Sequence, residues 1–327
     1  MSLCSYWRKV LSVLSLLGGL TSALHAQIQP ATTQYMFHPQ LSNPAFYGQQ
    51  EGIRFAAVYR HQWAKLEGQP QTLHAAADAY LPAIKGAAGL VVANDRLGAY
   101  NNTTLQAGYT YIQDIRKKVK IGIGLNAGMV FSKLDGSQLI TPQGDESGLN
   151  DDALSNQLQK SIRPHFSVGV SVVHKWIEAG ISYSNVLQSS DKLDGINVSL
   201  RPVYGGVLQT YVSSKIKVSD DFTLKPSVLV YSDFKKVQTE LSIMAGYKEY
   251  VYLGVNVRGY NKRSFESLSP IVAVMPVKNL SIIYNYDVSL NKLNAVNKGT
   301  HEISLSYLLP NKKIYKSPKI INNPRFL

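Results

Sequence analysis

Residues 118–131, KVKIGIGLNAGMVF, alternate apolar positions with polar or side-chain-free ones without a break. Val119, Ile121, Ile123, Leu125, Ala127, Met129 and Phe131 fall on one side of an extended chain. Lys118, Lys120, Gly122, Gly124, Asn126, Gly128 and Val130 fall on the other, because successive strand side chains point to opposite faces. Strands of soluble sheets average about 5–6 residues, whereas a strand crossing a bilayer at a tilt needs roughly 9–11. The unit recurs over 53–63, 72–81, 103–113, 163–174, 176–187, 203–215, 222–231, 237–248, 250–260, 267–275, 280–288 and 300–309. A small apolar run at 86–94 adds a strand whose facing the pattern leaves open.

The pattern predicts an all-β chain of about 14 antiparallel strands, an even number as in single-chain outer-membrane barrels. Backbone groups in hydrocarbon must be paired, so a membrane sheet has to close. Composition agrees: the chain is 45% hydrophobic, and past residue 30 there is no uncharged apolar run of about 18, the length a membrane helix needs. The 20 tyrosines, gathered toward strand ends, suggest interfacial girdles. A secreted soluble β-protein is the competing reading, and heat-dependent mobility in detergent gels separates the two.

The domain order expected is a signal peptide at 1–26, an irregular segment at 27–50 with three prolines, a transmembrane barrel at 51–309 and a basic tail at 310–327. Arg8 and Lys9, the apolar run 10–20 and the small residues before Ala26 make the signal; Ala23 is the second candidate for cleavage. Cys4 leaves with it, so the mature chain has no cysteine and relies on something other than disulfides. Residues 132–161 read as a long loop holding Asp135, Asp145, Glu146, Asp151 and Asp152, without the regular ligand spacing of a calcium loop. Residues 189–201 read as a second polar loop.

The formal charge is +13, about +11 once Arg8 and Lys9 are removed. Export argues against nucleic acid, and basic strand ends facing anionic lipid or a negatively charged partner fit better. No catalytic, cofactor or metal set is marked. His74 and Asp78 share a face but stand about 13 Å apart by strand rise. The HEISL stretch at 301–305 lacks the second histidine of a zinc helix, and GIGLNAG is not followed by a helix. The inner-face glycines read as leaving lumen space or allowing a bend. His301 and Glu302 read as a lumen hydrogen-bonding pair with an arginine such as Arg258. Trp63, Pro70, Asp95 and Gly98 read as turn and rim structure.

Several stretches, in order, carry a family resemblance: Gln34-Tyr35; Asn43-Pro44-Ala45; Arg60 with Trp63; Gly68, Pro70 and Thr72; Asp78; Gly89-Leu90; Asn94-Asp95 with Gly98; LKPS at 224–227; YNYD at 284–287; GTHEI at 299–303; and NPRF at 323–326. The chain resembles the PorP/SprF family of the Bacteroidetes type IX secretion and gliding machinery. It departs from the family's usual pattern at Thr300, commonly serine, and at Asn323, commonly cysteine. The resemblance implies an outer-membrane barrel, in contact with outer-membrane lipid, that serves protein export. It implies as partners either other secretion components, periplasmic ring proteins and a peptidoglycan-binding protein, or a large secreted adhesin. Asn43, Pro44, Arg60, Trp63, Gly68, Pro70, Asp78, Asp95, Gly98, His301 and Glu302 become the candidate partner-binding residues. A passive pore for small solutes is the alternative function.

Overall fold

A computed structural model of the chain describes residues 32–50, 52–115, 118–138, 158–187, 189–190, 203–259 and 265–310. Fourteen long strands form one antiparallel sheet. They are β1 (Ile53–His61), β2 (Gln71–Leu81), β3 (Gly86–Leu97), β4 (Tyr100–Ile115), β5 (Val119–Asp135), β6 (Leu158–His174) and β7 (Ile177–Ser184), followed by β8 (Val207–Ser214), β9 (Phe222–Ser232), β10 (Val237–Tyr247), β11 (Val251–Arg258), β12 (Ser267–Val277), β13 (Leu280–Ser289) and β14 (Thr300–Leu309). Each strand pairs with its sequence neighbour, and β14 pairs with β1 from Ile53↔Leu309 to His61↔His301. The sheet is a closed 14-stranded barrel with no free edge. Ile216–Lys217 adds a short piece to it by pairing with β9, and Ser189–Ser190 pairs with Val203–Tyr204 as a separate two-stranded sheet.

The alternation sets the two faces. On β5, Ile123, Leu125 and Met129 are exposed outward while Gly122, Gly124 and Asn126 are buried inward. The open run at 86–94 is settled by its register: Leu90 and Val92 face out and Val91 faces in. Arginine in place of Ile123 or Leu125 should cost about 2–4 kcal/mol near the bilayer midplane. It should be seen as loss of the heat-modifiable folded band; normal assembly of both variants would overturn this facing. No helix among the described residues is long and apolar enough to cross a membrane.

Three expectations are revised. The sheet runs further than a 132–161 loop allows, since β5 extends to Asp135 and β6 begins at Leu158. Ser132 and Ser161 are buried opposite one another, and Lys133 pairs with Lys160 on the outer face. Beyond the hydrocarbon the outer face no longer has to be apolar, so hydropathy loses the strand where the hydrogen-bonded ladder does not. The strand expected from 203 starts only at Val207, after Gly205 and Gly206. The tyrosines divide: Tyr59, Tyr111, Tyr247 and Tyr307 are exposed on the outer wall, but Tyr35, Tyr47, Tyr211, Tyr231 and Tyr252 are buried inside. The signal region, the acidic residues 145–152, residues 191–202 and the tail after 310 lie outside the described residues.

The connections differ at the two ends. Those at 82–85, 116–118, 175–176, 215–221, 248–250 and 278–279 are short, whereas 136–157 and 185–206 join strands at the opposite end. Bacterial barrels carry short turns at the periplasmic face and longer loops outside, which orients the molecule. Residue 53, the start of β1, and residue 309, the end of β14, lie at the periplasmic end.

Candidate functional site

The lumen is occupied by the chain's own residues 32–50. Pro39 and Pro44 each open a single 3-10 turn, Pro39–Leu41 and Pro44–Phe46. Proline's fixed φ suits the first position of such a turn and removes a donor that would lack a partner. The Asn43 side chain accepts from the Ala45 amide at 2.9 Å and caps the second turn. The segment begins beside the extracellular ends of β1, β13 and β14 and descends to Gly48, near the periplasmic end of β2.

Small residues on one wall form its seat. A Cβ at Gly122 would lie 2.4 Å from the Ala45 carbonyl oxygen, and one at Gly124 would lie 2.5 Å from the Ala45 nitrogen. One at Gly169 would meet the Asn43 side chain at 2.1 Å, and those at Gly180 and Gly89 would strike the Phe46 and Tyr47 rings at 2.6 Å. The lumen space left by Gly122, Gly124, Gly169, Gly180 and Gly89 is therefore filled by the segment, whereas a Cβ at Gly128 would meet Leu105 of the neighbouring strand. Polar groups of the wall close the segment's backbone valences: Thr110 donates to the Pro44 carbonyl at 2.5 Å and Ser171 to the Ala45 carbonyl at 2.7 Å. Buried backbone groups need such partners. The Asn43 amide donates to the carbonyls of Val170 and Ile181, both at 3.3 Å.

Ion pairs grip the segment at both ends. At the lower end Arg54 Nε binds Asp78 at 2.8 Å, and Asp78 also accepts from the Gly48 amide at 2.8 Å. At the upper end Arg60 binds Glu302 at 2.6 Å and Asp287 at 2.7 Å. Glu302 accepts from the Thr33 and Gln34 amides at 3.1 and 3.0 Å. The Thr33 hydroxyl accepts from Arg60 at 2.9 Å and Arg258 at 3.1 Å, and donates to Asp287 at 3.1 Å. Arg258 is paired with Glu240 at 3.0 Å, and Glu240 also accepts from the Tyr231 hydroxyl. All these side chains are buried. Charges within spanning strands are rare, face the interior, and mark functional positions by default. Midway, His38 Nε2 lies 2.9 Å from the Ser304 hydroxyl.

This network revises the reading of residues 301–302. Glu302 takes Arg60, not Arg258, as its partner. His301 is on the outer face, its Nδ1 2.8 Å from the Tyr284 hydroxyl, because consecutive strand residues point opposite ways. The other candidates fall into two groups. Asn43, Pro44, Arg60, Asp78 and Glu302 belong to the lumen segment or its anchors. Trp63, Gly68, Pro70, Asp95 and Gly98 gather at the extracellular rim. There Gly98 donates to the Gly68 carbonyl at 3.0 Å, with φ of 54° and 68°, a left-handed conformation that glycine adopts without strain. The Pro70 carbonyl accepts from the Gln62 amide at 2.9 Å, Trp63 donates its amide to Thr300 at 3.2 Å, and Thr72 binds Asp95 at 2.6 Å. Trp63, Pro70 and Asp95 line a chamber of about 400 Å³, whose walls also include His74, Asn126 and Arg163.

Sequence reasoning passed over Thr33, Arg54, Glu240 and Asp287 as site residues, and gave Arg258 the wrong partner. The signal was available: each of the four charged residues is an ionisable residue on the inner face of a spanning strand. Among the described residues, no group of three or more His, Cys, Asp or Glu is placed to hold a metal ion.

Among solved structures, the chain is similar in shape to the toluene transporter TbuX of Ralstonia pickettii (15% identity, TM-score 0.48, 83% of this chain and 92% of that one). It is also similar to the CymD monoaromatic hydrocarbon channel (14%, 0.49, 90% and 95%) and to the outer membrane protein Omp33 of Acinetobacter baumannii (7%, 0.44, 80% and 100%). A search of curated protein sequences returned no match. The profile of the family described as "Type IX secretion system membrane protein PorP/SprF" matches residues 24–307. With its closed barrel and apolar outer wall, the chain is an outer-membrane protein, and it belongs to the PorP/SprF family of type IX secretion system membrane proteins.

Proposed function

We propose that this barrel is a sealed docking component of the type IX machinery, holding periplasmic components or a secreted surface protein at the outer membrane. The observation that carries the reading is the lumen segment. Residues 32–50 meet walls on opposite sides of the barrel, from Gly124 and Ser171 to Asn285 and Glu302. A passive pore needs a continuous water path, whereas a docking protein needs a rigid wall and exposed ends.

Two measurements test this. Deleting the gene should leave secreted cargo inside the cell, and normal export from the deletion strain would sink the proposal. The purified barrel in planar bilayers should show no steady ion conductance; a stable open channel would favour a small-solute pore instead.

A further inference from the structure

Once the strands are placed, the two sets of connections prove to carry very different charge. The connections at the extracellular end contain nine basic and nine acidic residues and are neutral as a set. The six periplasmic turns contain nine basic residues, and the sequence after Leu309 contains five more, against only Asp220, Asp221 and Glu249. The strands with Glu51 balance at nine of each sign. The whole surplus of the chain beyond residue 26, about +11, is therefore assigned to periplasmic turns and the sequence that follows β14.

Geometry directs this charge downward. Lys118, Lys175 and Lys278 are exposed in turns of two or three residues, which keeps them at the periplasmic rim. The strand ends beside them carry exposed apolar and aromatic side chains such as Ile177, Val277 and Phe222, which occupy the level where lipid lies. Only Lys215 and Lys248 of the described turn lysines have a carboxylate of the described residues within 4.0 Å. Like charges set around one barrel end repel one another, within the limits of salt screening. An acidic surface placed beneath the ring removes that cost, and complementary fields also speed encounter and fix orientation.

We infer that the periplasmic end of the barrel is the docking face, and that its partner is a periplasmic protein presenting an acidic surface. This rests on the docking reading above and specifies its side and chemistry. The test compares a deletion strain with strains carrying the full chain as Lys118→Glu, Lys175→Glu and Lys278→Glu combined, or as Lys235→Glu, Lys236→Glu and Lys298→Glu at the extracellular end. Cargo is scored as proteins lost from the medium and cell surface on deletion, and heat-modifiable folded barrel is checked in each strain. The periplasmic reversal should cut export by at least about tenfold, equivalent to some 1.4 kcal/mol of lost association. The extracellular reversal should leave it unchanged. A photo-crosslinking residue at 175 or 278 should yield an adduct with an acidic periplasmic protein, abolished by reversing the other lysines. Parental export from the periplasmic reversal would overturn this inference and leave the docking reading standing. So would crosslinks to lipid alone, which would make anionic headgroups the ligand. Undiminished export from the deletion strain would remove the docking reading itself, and this inference with it.

Discussion

Arg60→Ala will destabilise the barrel by about 3–5 kcal/mol, the usual effect of removing one partner from a buried ion pair. Arg60 is the cation between Glu302 and Asp287, and it also donates to Thr33. Without it two buried carboxylates face one another across a site whose remaining arginine, Arg258, is paired with Glu240. The like-charge contact then penalises ionisation of both. The readout is the temperature or urea concentration at which the compact band disappears from detergent gels. Glu302→Gln should be milder, about 1–3 kcal/mol, because an amide oxygen can still accept from Thr33 or Gln34. If Arg60→Ala melts with the parent, the anchor does not hold the barrel together.

Gly124→Val should unseat the lumen segment while leaving the wall closed. The new Cβ would lie 2.5 Å from the Ala45 nitrogen and 2.6 Å from the Pro44 carbonyl carbon, backbone atoms that cannot swing aside as a side-chain tip could. Overpacking of this kind costs about 1–3 kcal/mol where neighbours can adjust, and more where they cannot. β5 itself loses nothing, since valine suits a strand. The expected result is protease cleavage within residues 32–50 and new conductance in planar bilayers, from a barrel that still shows heat-modifiable mobility. Gly205→Val is the control, because nothing lies within 4 Å of its added Cβ. A Gly124→Val protein that is both protease-resistant and non-conducting would overturn the seat.

The barrel itself was legible in the alternation, which is a local property of each strand. The facing of β1, β5 and β13 follows from period two alone, and the strand number needs only the apolar run of β3 besides. Strand ends were less legible, as at Asp135 and Leu158, because the rule tying the outer face to apolar residues lapses outside the hydrocarbon. Residues 32–50 have no periodicity, so nothing local says that they fill the lumen; that depends on Gly122, Gly124, Gly169 and Gly180 converging on one wall from three strands. The pairing of Glu302 with Arg60 was hidden for a related reason. It depends on which strand lies beside which after closure, and the first and last strands are 242 positions apart at that pair.

In the β1–β14 ladder Arg60 stands directly opposite Glu302, so the same ion pair that grips Thr33 and Gln34 also spans the seam where the cylinder closes. A slip of one residue would turn β1's inward set, Arg54 and Arg60 included, toward lipid. Closing the seam in the correct frame therefore also builds the socket that the Thr33 and Gln34 amides occupy. A cylinder can close without its plug, since Arg60 and Glu302 match across the seam by themselves, but the plug has no keyhole in a cylinder closed out of frame.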